Sequence, residues 1–153
     1  MHISTRAPKP GASANGSSAP RATDDRTVLR TEADIVAARM IGREMAAQLG
    51  FSPGDSTLIA TAISELARNV VQYARCGEVS FAALSAGGRC GIAVTVTDEG
   101  PGIDDVGAAL QDGFSTSGRL GLGLPGVRRL MDELVIDSTP GHGTTVKVKK
   151  WKR

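Results

Sequence analysis

The chain has 153 residues, room for one domain of ordinary size and too few for two comfortable ones. Its 18 lysines and arginines against 16 aspartates and glutamates leave a formal charge of +2, so no general basic field argues for nucleic acid. Aromatic residues make up 3%, too few for the stacking platforms of single-strand binders, while 41% hydrophobic residues support a real core.

Met1 to about Asp25 is rich in Ala, Pro, Ser, Gly and Thr and cannot bury enough apolar surface to offset ordering entropy. It predicts a disordered arm over 1–25 ahead of one folded domain over 26–153. Thr31-Glu32-Ala33-Asp34 has the spacing of a capping box with Asp in place of Glu. Ile35, Ala38, Met45 and Leu49 then recur at helical spacing up to Gly50. A second helix is expected from near Asp55 to about Ala74, with Ile59, Ile63, Leu66 and Val70 as its apolar stripe. Val79, Phe81 and Ala83 alternate, as do Ile92, Val94 and Val96, and Ala86-Gly87-Gly88-Arg89 links them as a hairpin. Helical patterning returns over Leu122 to Glu133, followed by strands near Leu134 to Ser138 and Thr144 to Lys150. Strands joined by short turns, with helices elsewhere, predict an α+β fold: a two-layer sandwich with a mixed, mostly antiparallel sheet and helices on one face.

Glycine is the compositional outlier, at 19 residues against a background of about 7%. Gly100, Gly102, Gly107, Gly113, Gly118, Gly121, Gly123 and Gly126 crowd one stretch, the mark of a backbone that bends sharply or approaches something closely. Gly118 to Gly126 directly precedes a predicted helix, where backbone N–H groups and the helix dipole favour an anion. Just before it, Asp98-Glu99-Gly100-Pro101-Gly102 ends a strand. This is either a plain turn or a carboxylate held to accept a hydrogen bond from an amino group such as that of adenine. Ile103 to Leu120, small and polar, reads as a lid or as an ordinary surface loop. Glu65 and Asn69, four apart, share one helix face at the margin of the apolar stripe.

Cys76 and Cys90 are expected to be free buried thiols, and the two histidines, His2 and His142, leave little for a metal site. No apolar run approaches the roughly 18 residues that span a bilayer, and Met1 to Thr27 has no signal-peptide core. These features predict a cytoplasmic protein with neither membrane nor nucleic acid as partner. The basic end, Lys147, Lys149, Lys150, Lys152 and Arg153, reads as the solvated face of a strand.

In this order, Glu65-x-x-x-Asn69, Asp98-x-Gly100-x-Gly102, Gly121-x-Gly123 and Gly143-Thr144 resemble the N, G1, G2 and terminal boxes of the GHKL (Bergerat-fold) ATPase/kinase superfamily. The resemblance covers roughly Thr27 to the C-terminus. Thr61 to Asn69, Asp112 to Gly118, Gly123 to Val127 and Arg129 to Glu133 resemble, more narrowly, the RsbT-type serine/threonine kinases of bacterial stress-response partner switching. That resemblance implies ATP with Mg²⁺, a Ser or Thr acceptor on a STAS-domain protein, and a PP2C-type phosphatase as the second partner. Glu65 would be the catalytic residue, orienting or deprotonating the acceptor hydroxyl. Asn69 would ligate Mg²⁺ through its amide oxygen. Asp98 would hold adenine with Thr144 in support, Gly100 and Gly102 would let the loop pass the nucleotide, and Gly121 and Gly123 would offer amides to the phosphates. Gly118, Arg119 and Leu122 complete the expected nucleotide-binding set.

Two positions depart from the family pattern. Arg119 stands where a glycine is commoner, and Gln72 stands where sensor histidine kinases often have lysine. An anti-sigma factor that sequesters a sigma subunit shares the same ATP site and is the alternative reading. An ATP hydrolase of the gyrase or chaperone kind ranks last, since such proteins carry a transducer domain after this one.

Overall fold

The computed structural model describes residues 2–5, 26–102 and 123–153. In chain order the elements are β1 (His2–Thr5), β2 (Arg26–Leu29), α1 (Glu32–Gln48), α2 (Pro53–Asn69), a π-helical turn (Val70–Ala74), β3 (Gly77–Ala86), β4 (Arg89–Asp98), α3 (Gly123–Leu130), β5 (Glu133–Thr139) and β6 (Gly143–Trp151). Among the described residues the strands form one sheet of six in the order β1-β5-β6-β4-β3-β2. All neighbours are antiparallel except β1, which lies parallel to β5. This is the α+β sandwich that the alternation of short strands predicts.

Local chemistry sets the element boundaries. Thr31 Oγ1 accepts from Asp34 N at 3.3 Å while Asp34 Oδ2 accepts from Thr31 N at 3.0 Å, so the capping box closes with the shorter acid. Ser52 caps α2 by accepting from Asp55 N at 3.1 Å, and Pro53 occupies the first turn, where its missing N–H costs nothing. The helix therefore starts two residues before Asp55. Gly87 and Gly88 both have positive φ, 58° and 78°, the backbone that a tight two-residue hairpin needs to follow the strand twist.

Packing follows from strand register. Phe81, Val94, Val148 and Leu134 form one row across four strands, and Val79, Val96, Val146 and Ile136 form the next. All face the helices and are buried. Ile59, Ile63 and Leu66 of α2 meet these rows, with Ile35 and Ala38 of α1 on one side and Leu124 and Val127 of α3 on the other. Gly42 lets α1 approach closely, because a Cβ there would collide with Ile63 Cδ1 and stand 3.2 Å from Phe81 Cε1. The next position in the register pairs Ile92 with Lys150, whose buried side chain donates from Nζ to the Leu130 carbonyl at 2.8 Å, at the end of α3.

Several expectations change. His2–Thr5, inside the predicted disordered arm, form the edge strand β1; Met1 and residues 6–25 lie outside the described residues. β2 was not expected as a strand; four residues carry too little alternation to stand out, and β3 supplies the pairing. Helix α3 ends at Leu130 rather than Glu133, because Asp132 N already donates to Lys149 O at 2.9 Å and joins the sheet. Cys76 and Cys90 are free but exposed, not buried, since one follows the π turn and the other sits beside the hairpin. The basic end is only partly a solvated face, because Lys150 points into the helix layer.

Candidate functional site

Two elements end beside each other to build the site. Helix α2 delivers Glu65 and Asn69 on its last turn and then widens into the π turn Val70–Ala74, a deviation that recurs at functional sites. Strand β4 ends at Asp98, opposite Gly77 of β3 on one side and Thr144 of β6 on the other. A Cβ on Gly77 would lie 2.7 Å from Val70 Cγ1 and 3.2 Å from Asp98 Cβ. The residue after Asn69 and the carboxylate of Asp98 thus flank one point.

The turn after Asp98 is held from three directions. Its own Oδ1 accepts from Gly100 N at 2.9 Å. Pro101 O accepts from Gly141 N at 2.7 Å, tying the turn to the β5–β6 connection. Gly143, at φ 95°, presses its backbone against Asp98 O where a side chain would clash. The glycines of this turn also have partners within the protein. A Cβ on Gly100 would stand 2.6 Å from Ala74 Cβ, and one on Gly102 would meet the Thr139 carbonyl. Close approach here is chain to chain, and it locks the π turn, the β4 end and the β5–β6 turn into one platform.

Electrostatics distinguish the candidate side chains. Burial pushes the Asp98 carboxyl above the usual carboxylate value, and the N–H groups of Gly100 and Thr144 only partly oppose it. Thr144 is buried and shares a hydrogen bond of 2.9 Å between its Oγ1 and Ser138 Oγ. Glu65 is mostly buried and accepts from Arg68 at 2.8 Å, one turn along α2. Arg68 is a neighbour the sequence reading missed; its i,i+3 spacing from Glu65 was the available signal. Asn69 is half-buried, and its amide has no hydrogen-bond partner among the described residues.

The structure therefore brings Glu65, Asn69, Asp98, Gly100, Gly102 and Thr144 to one end of the sheet. Gly123, at φ 58°, opens α3, which packs beside α2. Gly118, Arg119, Gly121, Leu122 and the predicted lid lie outside the described residues. A lone amide oxygen suits magnesium, which takes few protein ligands and is held otherwise by water and phosphate. No group of three His, Cys, Asp or Glu side chains suited to a metal occurs among the described residues. No helix among them is long and apolar enough to cross a membrane.

Comparison with known proteins identifies the family. Residues 28–150 match the histidine kinase-like ATPase domain family. The serine/threonine-protein kinase RsbT of Bacillus subtilis is 50% identical over 125 residues, covering 82% of this chain and 94% of that protein. An anti-sigma F factor of a Thermoanaerobacter species is 35% identical over 120 residues, covering 74% of this chain and 82% of its own length. Among solved structures, a Mycobacterium tuberculosis protein containing RsbU and RsbW domains superposes with a TM-score of 0.57 at 22% identity. That match covers 84% of this chain and 33% of the other, so this chain spans about a third of it.

Proposed function

The chain belongs to the histidine kinase-like ATPase domain family, and from that premise we propose that it is a serine/threonine-protein kinase of a bacterial partner switch. Its substrate is a Ser or Thr on a STAS-domain protein, and its second partner is a PP2C-type phosphatase that it binds and activates. The observation that carries the reading is the meeting of the Glu65–Asn69 helix end with the Asp98–Gly102 platform, in a chain half identical to a serine/threonine-protein kinase. The protein works in the cytoplasm on this reading.

ATP is the phosphoryl donor. Asp98 accepts a hydrogen bond from the adenine amino group, with Thr144 beside it on β6. Burial leaves the Asp98 carboxyl short of hydrogen bonds, so an added donor stabilises its charged form. Asn69 would hold Mg²⁺ through its amide oxygen, and the bound ion would supply charge neutralisation at the phosphates. On this reading Gly118, Arg119, Gly121, Leu122 and Gly123 make up the phosphate-binding set. The acceptor hydroxyl oxygen then forms a bond to the γ-phosphorus, the bond to the β–γ bridging oxygen breaks, and ADP leaves. Glu65 accepts or orients the hydroxyl proton. Its hydrogen bond from Arg68 at 2.8 Å fixes the carboxylate in place, which favours orientation. Little more is required, since phosphoryl transfer rests on positioning and charge stabilisation.

The direct experiment incubates the full chain with labelled ATP, Mg²⁺ and STAS-domain proteins of the same genome. Label on a Ser or Thr supports the reading, and autohydrolysis without transfer overturns it. The 35% identity to an anti-sigma F factor favours a second reading, sequestration of a sigma subunit. Capture of a sigma factor in place of a STAS protein would select it.

A further inference from the structure

The end of the sheet remote from Asp98 carries a second built feature. Arg89 opens β4 and Asp98 closes it, nine residues on, which at strand rise places them about 30 Å apart. Around Arg89 lies a shallow, open cleft of about 770 Å³ lined by Arg128, Arg129, Asp132, Glu133, Trp151 and Arg153. Four arginines line it against two carboxylates, and one of the four, Arg153, is paired with Asp132. Both carboxylates are engaged within the wall: Asp132 accepts from Trp151 N at 2.8 Å and from Arg153 at 3.1 Å, and Glu133 accepts from the Trp151 indole at 2.8 Å. Trp151 is therefore fixed by two hydrogen bonds, and Arg89 lies 5.3 Å from its ring centroid.

We propose that this cleft is a docking site for an acidic peptide segment of a protein partner, its carboxylates seated on Arg89 and Arg128 and its apolar side chains on Trp151. Three observations select that occupant. The arginines come from the start of β4, the end of α3 and the tail after β6, so the positive charge surrounds the cleft instead of converging on one point. At the α3 C-terminus beside the cleft, Lys150 Nζ already occupies the Leu130 carbonyl at 2.8 Å, which offsets the dipole there, and this helix end offers no N–H cradle for a compact phosphate. Arginine and tryptophan on a prearranged wall are the residues that dominate protein–protein contacts, and guanidinium forks match carboxylates geometrically. A segment bound here leaves the nucleotide end uncovered, and the proposal stands independently of the kinase reading.

Trp151 is the single tryptophan of the chain, so its fluorescence reports on the cleft directly. The full chain is titrated with a peptide of alternating glutamate and leucine, with the corresponding lysine–leucine peptide, and with tripolyphosphate. The expected result is a saturable change with the glutamate peptide alone, weakened about tenfold by Arg89→Glu or Arg128→Glu. ATP binding stays at the parental affinity in both variants. Arg89 is exposed at a strand end, so its variant serves if the Arg128 variant fails to fold. No saturable change, the same response in a correctly folded charge-reversal variant, or displacement of the peptide by an equal charge of tripolyphosphate would each overturn the proposal.

Discussion

The two ends of one sheet solve different problems with different materials. At the Asp98 end the wall is backbone: glycines that admit no side chain, an N–H to the Asp98 carboxylate, and a turn tied to its neighbour by Gly141 N and Pro101 O. At the Trp151 end the wall is side chain: guanidinium groups, an indole and two carboxylates in mutual contact. Backbone walls admit a ligand close to the chain, whereas a wall of guanidinium and indole groups offers charge and apolar area to a larger partner. The length of β4 thus separates the proposed nucleotide end from the proposed docking end.

Substitutions can break this division. Asn69→Ala strikes only the Asp98 end and should weaken Mg²⁺-dependent ATP binding at least about a hundredfold by calorimetry, while the Trp151 fluorescence response stays intact. Loss of both together would show that the ends are coupled. Glu65→Gln should keep nucleotide affinity and lower transfer to a STAS serine by about 10²–10³-fold; unchanged single-turnover transfer would remove Glu65 from the chemistry. Gly42→Val acts on the core beneath both ends, against Ile63 and Phe81, and should cost about 1–3 kcal/mol by denaturant unfolding. Parental stability would show that α1 has room to move away from α2.

The smallest effect has the opposite sign. Burial raises the Asp98 pKa above its ordinary 3.8, so the folded chain binds more protons than the unfolded one from that value up to the raised one. Stability falls as pH rises through this window, and the full penalty is present above it. Asp98→Asn removes the penalty and should raise Tm slightly at neutral pH, the advantage vanishing below pH 3.8. Adenine binding should be lost in the same protein. A lower Tm at neutral pH would show that the hydrogen bonds to the carboxylate outweigh its burial.

What the sequence disclosed depends on how local each signal is. Thr31 with Asp34, Gly87 with Gly88, and the stripe Ile59-Ile63-Leu66-Val70 each carry their meaning within a few residues, and all are realised. The pairing of Glu65 with Asn69 was legible from helical spacing, while the π turn after them was not, because it arises where the helix meets β3 and β4. β1 is invisible for the same reason: His2–Thr5 owe their strand to β5, more than a hundred residues away in sequence. The basic cleft is the extreme case. Arg89, Arg128, Trp151 and Arg153 form no motif along the chain; the register of β4 on β6 and the seating of the α3 end on Lys150 bring them together.

Lys150 bears on how that register is chosen at all. β6 points Val146 and Val148 at the helices and Lys147 and Lys149 away, so sliding it two residues along β4 would keep every side chain on its proper face. Hydrophobic alternation therefore cannot tell the native alignment from its slipped neighbours. Either slip would leave the Leu130 carbonyl without its ammonium, and the slip toward Asp98 would also put that charge opposite Val94. A lysine that looks out of place in the core is what makes the wrong alignments costly.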